Sequence, residues 1–159
     1  PIQGIDVKKG EGTRVAMPLT ALRRLVVTVT RTVTPIGNAQ GPLSVAVVDK
    51  DTVGASADAF GLATSDCANL TTSGASVKVP GFVVGKGPYF LLPVLDDYGV
   101  GTPLPAGALT SLDTSGATPK IPAANKVTFA ADAYGVTHTV SLTTAVPRVG
   151  GPPDGLTCP

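Results

Sequence analysis

The sequence predicts an all-β protein, an antiparallel sandwich or barrel of immunoglobulin-like or jelly-roll-like kind with extended N- and C-terminal arms. Three observations lead there. Short stretches rich in valine and threonine alternate apolar and polar residues with period 2. Glycine (19) and proline (15) punctuate all 159 residues at short intervals, which leaves little room for long helices. No sustained 3.6-residue stripe separates the strand candidates, so parallel βαβ units are not expected. The expected organisation is an N-terminal arm with a short helix at 1–22, a sandwich at 23–147 and a C-terminal arm at 148–159.

The first arm, "PIQGIDVKKGEG", has too few apolar residues for a core of its own. Its initial Pro1 is read as the trace of initiator-methionine removal, although a trimmed signal peptide would leave the same start. In "PLTALRR", residues 18–24, a proline suited to a first helical turn predicts at most about two turns. "RLVVTVTRTVTP" then puts Val27, Val29 and Val33 on one face and Thr28, Thr30, Thr32 and Thr34 on the other, until Pro35 stops it. Arg31 shares the valine face, so it is expected at the sheet margin or paired with a carboxylate across an interface.

"PLSVAVVD" repeats the pattern with Leu43, Val45 and Val47, and "TPIGNAQG" has the turn chemistry to join the two as antiparallel strands. Residues 76–84, interrupted by Pro80-Gly81, read as an edge or bulged strand. Residues 89–95 read as a strand broken by Pro93. "TPLPAGALTSLDTSGATPKIPAAN" is too long for a tight connection and is expected to hold short strands or to lie on a neighbour. Segments 126–131 and 136–146 form the final strand pair, and "PRVGGPPDGLTCP" is the second arm.

Charged residues are 14% of the chain, below the roughly 25% of ordinary soluble domains. A protein covered by neighbours can dispense with a charged coat, because less of its surface has to be kept soluble. The net charge of +1 supplies no global field toward nucleic acid or an anionic membrane. The apolar runs fall short of the roughly 18 residues of a spanning helix. A local bias exists near the start, where Lys8, Lys9, Arg14, Arg23, Arg24 and Arg31 face only Asp6 and Glu11. A solvated arm is the commoner origin of such a bias; the competing reading makes Lys8, Lys9, Arg14, Arg23 and Arg24 candidate partner contacts.

The lone histidine, His138, falls with Val136, Val140, Leu142 and Val146 on the apolar face of its strand, opposite Thr137, Thr139 and Ser141. It is expected as a half-buried, hydrogen-bonded side chain. No second histidine, G-x-S-x-G elbow or H-E-x-x-H motif accompanies it, so no catalytic residue, cofactor or metal site is expected. Ten aspartates sit mostly in turns; the pairs Asp49/Asp51 and Asp96/Asp97 match no EF-hand and read first as turn residues. "GFVVGKGP" lacks the P-loop pattern and reads as a turn with a lysine. Cys67 and Cys158 match no metal-ligand spacing and leave two readings, a disulfide or two unpaired thiols. "NLT" at 69–71 fits a glycosylation acceptor, a triplet too common to decide anything.

Two resemblances rest on these residues. "VTFAADAYGVTHTVSLTTAV", with Asp132, Tyr134 and Gly135 at its turn, resembles the closing hairpin of bacterial immunoglobulin-like modules, which implies a secreted adhesion or binding module. In size, low charge and Ala/Gly/Thr/Pro/Val bias the whole chain is similar to small β-rich structural proteins of tailed-phage virions, especially capsid decoration (cement) proteins. That resemblance implies a non-catalytic subunit of a virion assembled in the host cytoplasm, present as clustered copies and held by contacts with capsid subunits or with itself.

Overall fold

A computed structural model describes residues 22–55, 59–97 and 107–147. Its strands are β1 (Leu22–Arg31), β2 (Gln40–Val48), β3 (Ala59–Asn69), β4 (Val77–Val84), β5 (Tyr89–Asp97), β6 (Gly107–Thr110), β7 (Lys126–Val127), β8 (Gly135–Leu142) and β9 (Thr144–Pro147). A 3-10 turn at Ala123–Asn125 precedes β7. The strands form a three-stranded sheet, β4-β1-β8, and a six-stranded sheet, β3-β2-β5-β6-β9 with β7 beside β5. The fold is an all-β sandwich.

Alternation decides which residues meet in the middle. The small sheet sends in Leu25, Val27, Val29, Val79, Val83, Val140 and Leu142, and the large sheet sends in Leu43, Val45, Val47, Leu91, Leu95 and Leu109. Each buried aliphatic side chain of this kind contributes about 1.5–3 kcal/mol over exposure. The valine faces read in β1 and β2 are therefore the core faces.

Several pairings differ from the sequence expectation. Residues 22–24 extend as β1 and are not helical: Leu22, Arg23 and Arg24 pair with Val84, Val83 and Phe82. Ladder bonds and burial of Arg23 outweigh a weak helix propensity confined to a few residues. "TPIGNAQG" does not make a hairpin either, because β1 and β2 lie in different sheets. Its turn carries the chain across the sandwich.

Pro93 does not break β5, which runs unbroken in the interior of the large sheet. The Leu91 carbonyl points toward the β7 side, where the Asn125 amide donates to it at 2.8 Å. By period 2 the missing N–H of Pro93 falls on the same side, in the interval between β7 (opposite Tyr89 and Phe90) and β6 (opposite Val94 to Asp97). No ladder bond is lost there.

The expected final hairpin is likewise two separate strands. β7 pairs with β5, while β8 runs parallel to β1, with Arg24 opposite Gly135 and Arg31 opposite Leu142. At Thr143 the chain changes sheets, its N–H donating to the Thr110 carbonyl at 2.8 Å as it enters β9. The Pro80-containing strand β4 is an edge strand, as its sequence indicates.

Candidate interaction surface

The polar residues singled out by sequence are mostly bound to their own chain. Arg23 is 9% exposed, a costly place for a guanidinium unless its donors are used. Its Nη1 donates to the carbonyls of Ala130 and Ala133, its Nη2 donates to Ala131 at 3.1 Å, and its Cζ lies 5.8 Å from the Phe129 ring centroid. Arg23 thus fixes the turn that presents Tyr134, which is 88% exposed. It is not available as a partner contact.

Arg31 behaves similarly at the sheet margin, with Nε donating to Leu70 at 2.9 Å, Nη1 to Val33 at 2.8 Å and Nη2 to Thr71 at 3.0 Å, all backbone carbonyls. Its position answers to the first of the two expectations, the sheet margin, and its partners among the described residues are backbone carbonyls and not a carboxylate. His138 is half-buried, its Nε2 lying 2.9 Å from the Ala124 carbonyl; with the proton on Nε2 this bond ties β8 to the 3-10 turn. The buried Asn125 amide donates to Leu91 and, at 2.6 Å, to Ser111 Oγ.

The aspartates act on turns. The buried Asp97 accepts from the N–H of Gly37 at 2.7 Å and of Ala39 at 2.9 Å, and so holds Ala39 at a φ of 56°, which a non-glycine residue rarely adopts. Asp113 accepts the Ser115 N–H at 2.9 Å; the Ser115 hydroxyl, then its backbone N–H, hold this exposed carboxyl below its ordinary value. Among the described residues no group of three His, Cys, Asp or Glu side chains is placed to hold a metal ion. Cys67 is in a disulfide. The chain's other cysteine, Cys158, lies outside the described residues, as do Lys8, Lys9 and Arg14.

Among the described residues, the outward face of the small sheet is open to a partner. Its rows run across the strands as Val84–Leu22, then Phe82–Arg24–Gly135, then Pro80–Val26–Thr137, then Lys78–Thr28–Thr139. The first rows form an apolar area, with Leu22 61% and Phe82 63% exposed and Val84 beside them. Two shallow hollows flank it. One of about 210 Å³ is lined by Leu22, Arg23 and the 131–134 turn, and one of about 170 Å³ by Arg24, Val26, Gly135, Val136 and Thr137.

Arg24 is the one candidate contact that the structure leaves reaching outward, and its guanidinium has no partner among the described residues. Period-2 alternation alone does not single out Leu22, Phe82 and Val84. A signal was present: β4 reads Val-Lys-Val-Pro-Gly-Phe-Val-Val, with apolar residues on both faces at one end, more than an edge strand with one solvated side requires. No protein-family model, curated protein or solved structure matches the chain.

Proposed function

We propose that this protein is a non-catalytic structural subunit of a virion or comparable assembly, a capsid decoration or cement protein or another minor component, working through contacts with other subunits or copies of itself. The observation that carries this reading is the exposed apolar end of the small sheet, Leu22, Phe82 and Val84 around Arg24. Contiguous apolar surface on a monomeric protein marks a contact site, and a chain with 14% charged residues has little else to keep such an area solvated. The polar side chains that could have served chemistry, His138, Arg23, Arg31, Asn125 and Asp97, are bonded to backbone groups that hold turns and strands in place.

Quantitative mass spectrometry of particles purified from the source tests the reading. The chain should be present in a fixed ratio to the major shell subunit; absence from purified particles rejects it. A second reading, a secreted adhesion or binding module at the cell surface, is favoured by one observation, the disulfide at Cys67, since such bonds persist in oxidising compartments. Recovery of the chain from the culture medium or cell surface, and not from particles, selects that alternative.

A further inference from the structure

The two sheet edges beside β1 are unlike each other. β4 carries Pro80 and Lys78, residues that blunt an edge, whereas β8 carries no proline and no Lys, Arg, Asp or Glu over its eight residues. The ladder between β8 and β1 uses the Tyr134 carbonyl, which accepts from Arg24 N–H at 2.9 Å, and the Leu142 carbonyl, which accepts from Thr32 N–H at 3.0 Å. By the strand's period of 2, even-numbered residues of β8 turn their backbone groups to β1, and Gly135, Thr137, Thr139 and Ser141 turn theirs outward. No described residue bonds those outward N–H and C=O groups, and Gly135, Thr137 and Thr139 are exposed.

Beside this open edge, Gly135 contributes no side chain to its row, which leaves the hollow of about 170 Å³ bounded by Arg24, Val26, Val136 and Thr137. The outward residues of the three strands include two cations, Arg24 and Lys78, and no carboxylate. We propose that the edge of β8 accepts an extended segment of a partner protein as a fourth, antiparallel strand, and that an acidic side chain of that segment, opposite Gly135, seats in the hollow against Arg24.

The partner chemistry follows from the parts. Backbone pairing with Gly135, Thr137, Thr139 and Ser141 demands an extended strand without proline at the paired positions. Thr137 and Thr139 on the outward face suit threonine or another β-branched neighbour across the seam. The Arg24 guanidinium, without a partner among the described residues and next to the apolar rows of Leu22, Phe82 and Val26, selects a carboxylate through charge-assisted bonds. This inference deepens the structural-subunit reading and rests on it.

The full chain, labelled with ¹⁵N, is titrated with the peptide acetyl-Thr-Val-Thr-Val-Thr-Val-Asp-Ser-amide and with the same peptide carrying Asn or Lys for Asp. Amide shifts should concentrate at Gly135, Thr137, Thr139 and Ser141, with affinity falling roughly tenfold for the Asn peptide and further for the Lys peptide. Arg24→Gln should remove the preference for Asp while keeping the weaker pairing, and Thr137→Asp should weaken binding of the Asp peptide; both positions are exposed, so both variants should fold. Shifts located elsewhere, no shifts at millimolar peptide, or equal affinity for all three peptides would overturn the proposal. Particle incorporation that survives both variants at an unchanged copy number would also overturn it, and would leave the structural-subunit reading standing.

Discussion

Single residues in this protein matter by what they hold. Arg23 shows the pattern, since its guanidinium links the start of β1 to a turn more than a hundred residues later. Arg23→Ala should cost about 2–3 kcal/mol in urea unfolding, because it removes charged hydrogen bonds and takes from the Ala131 and Ala133 carbonyls the donor they have here, while Ala130 keeps the Ala133 N–H. Arg23→Lys should recover only part of that, since an ammonium cannot span the same carbonyls; full recovery would show that charge alone suffices. Asp113 gives a pH signature. Its folded-state pKa is depressed by Ser115, so its contribution to stability is present above the ordinary carboxylate value and is lost as pH falls through the folded one. An NMR titration should find its midpoint below 3.8, and Ser115→Ala should move it back up.

Residue roles were the least legible part of the sequence. His138 could be placed because its face follows from neighbours one and two positions away. Arg23 could not, because its partners lie 107 to 110 positions along the chain and no local pattern announces them. Arg31, expected at the sheet margin or against a carboxylate, lies at the margin, and its carbonyl partners there are set by how the connection after β3 folds over that margin.

At the scale of elements, alternation fixed which face of each strand is buried and left open which strand lies beside it. The core faces of β1, β2 and β8 were readable for that reason, while the parallel union of β1 with β8 and the sheet change at Thr143 were not. Two of the strand expectations failed on turn chemistry that suits a crossing between sheets as well as a hairpin. The closure of the sandwich at β3 and β4 supplies a test. A Cβ at Gly81 would collide with the Leu62 side chain of β3, whereas one at Gly61 meets nothing within 4 Å. Gly81→Ala should therefore destabilise by about 1–3 kcal/mol, and Gly61→Ala should leave the urea midpoint unchanged or slightly raised. Equal effects at the two sites would mean that β3 and β4 do not pack as described.

For the whole molecule, a low charged-residue share of 14% goes together with an exposed apolar area at one end of the small sheet. The large sheet's inner face and the small sheet's inner face cover each other, and the small sheet keeps an apolar end on its outer face and, at β8, an edge that pairs with no described strand. An edge of this kind in an isolated soluble protein invites association, so its retention without a proline or a charge is itself an argument for use. Hydrogen exchange on the free protein and on the same protein within purified particles is the most direct measurement. The amides of Thr137, Thr139 and Ser141 should exchange rapidly in the free protein and become strongly protected in the particle. Unchanged rapid exchange at these three positions in particles that contain the chain would contradict the account.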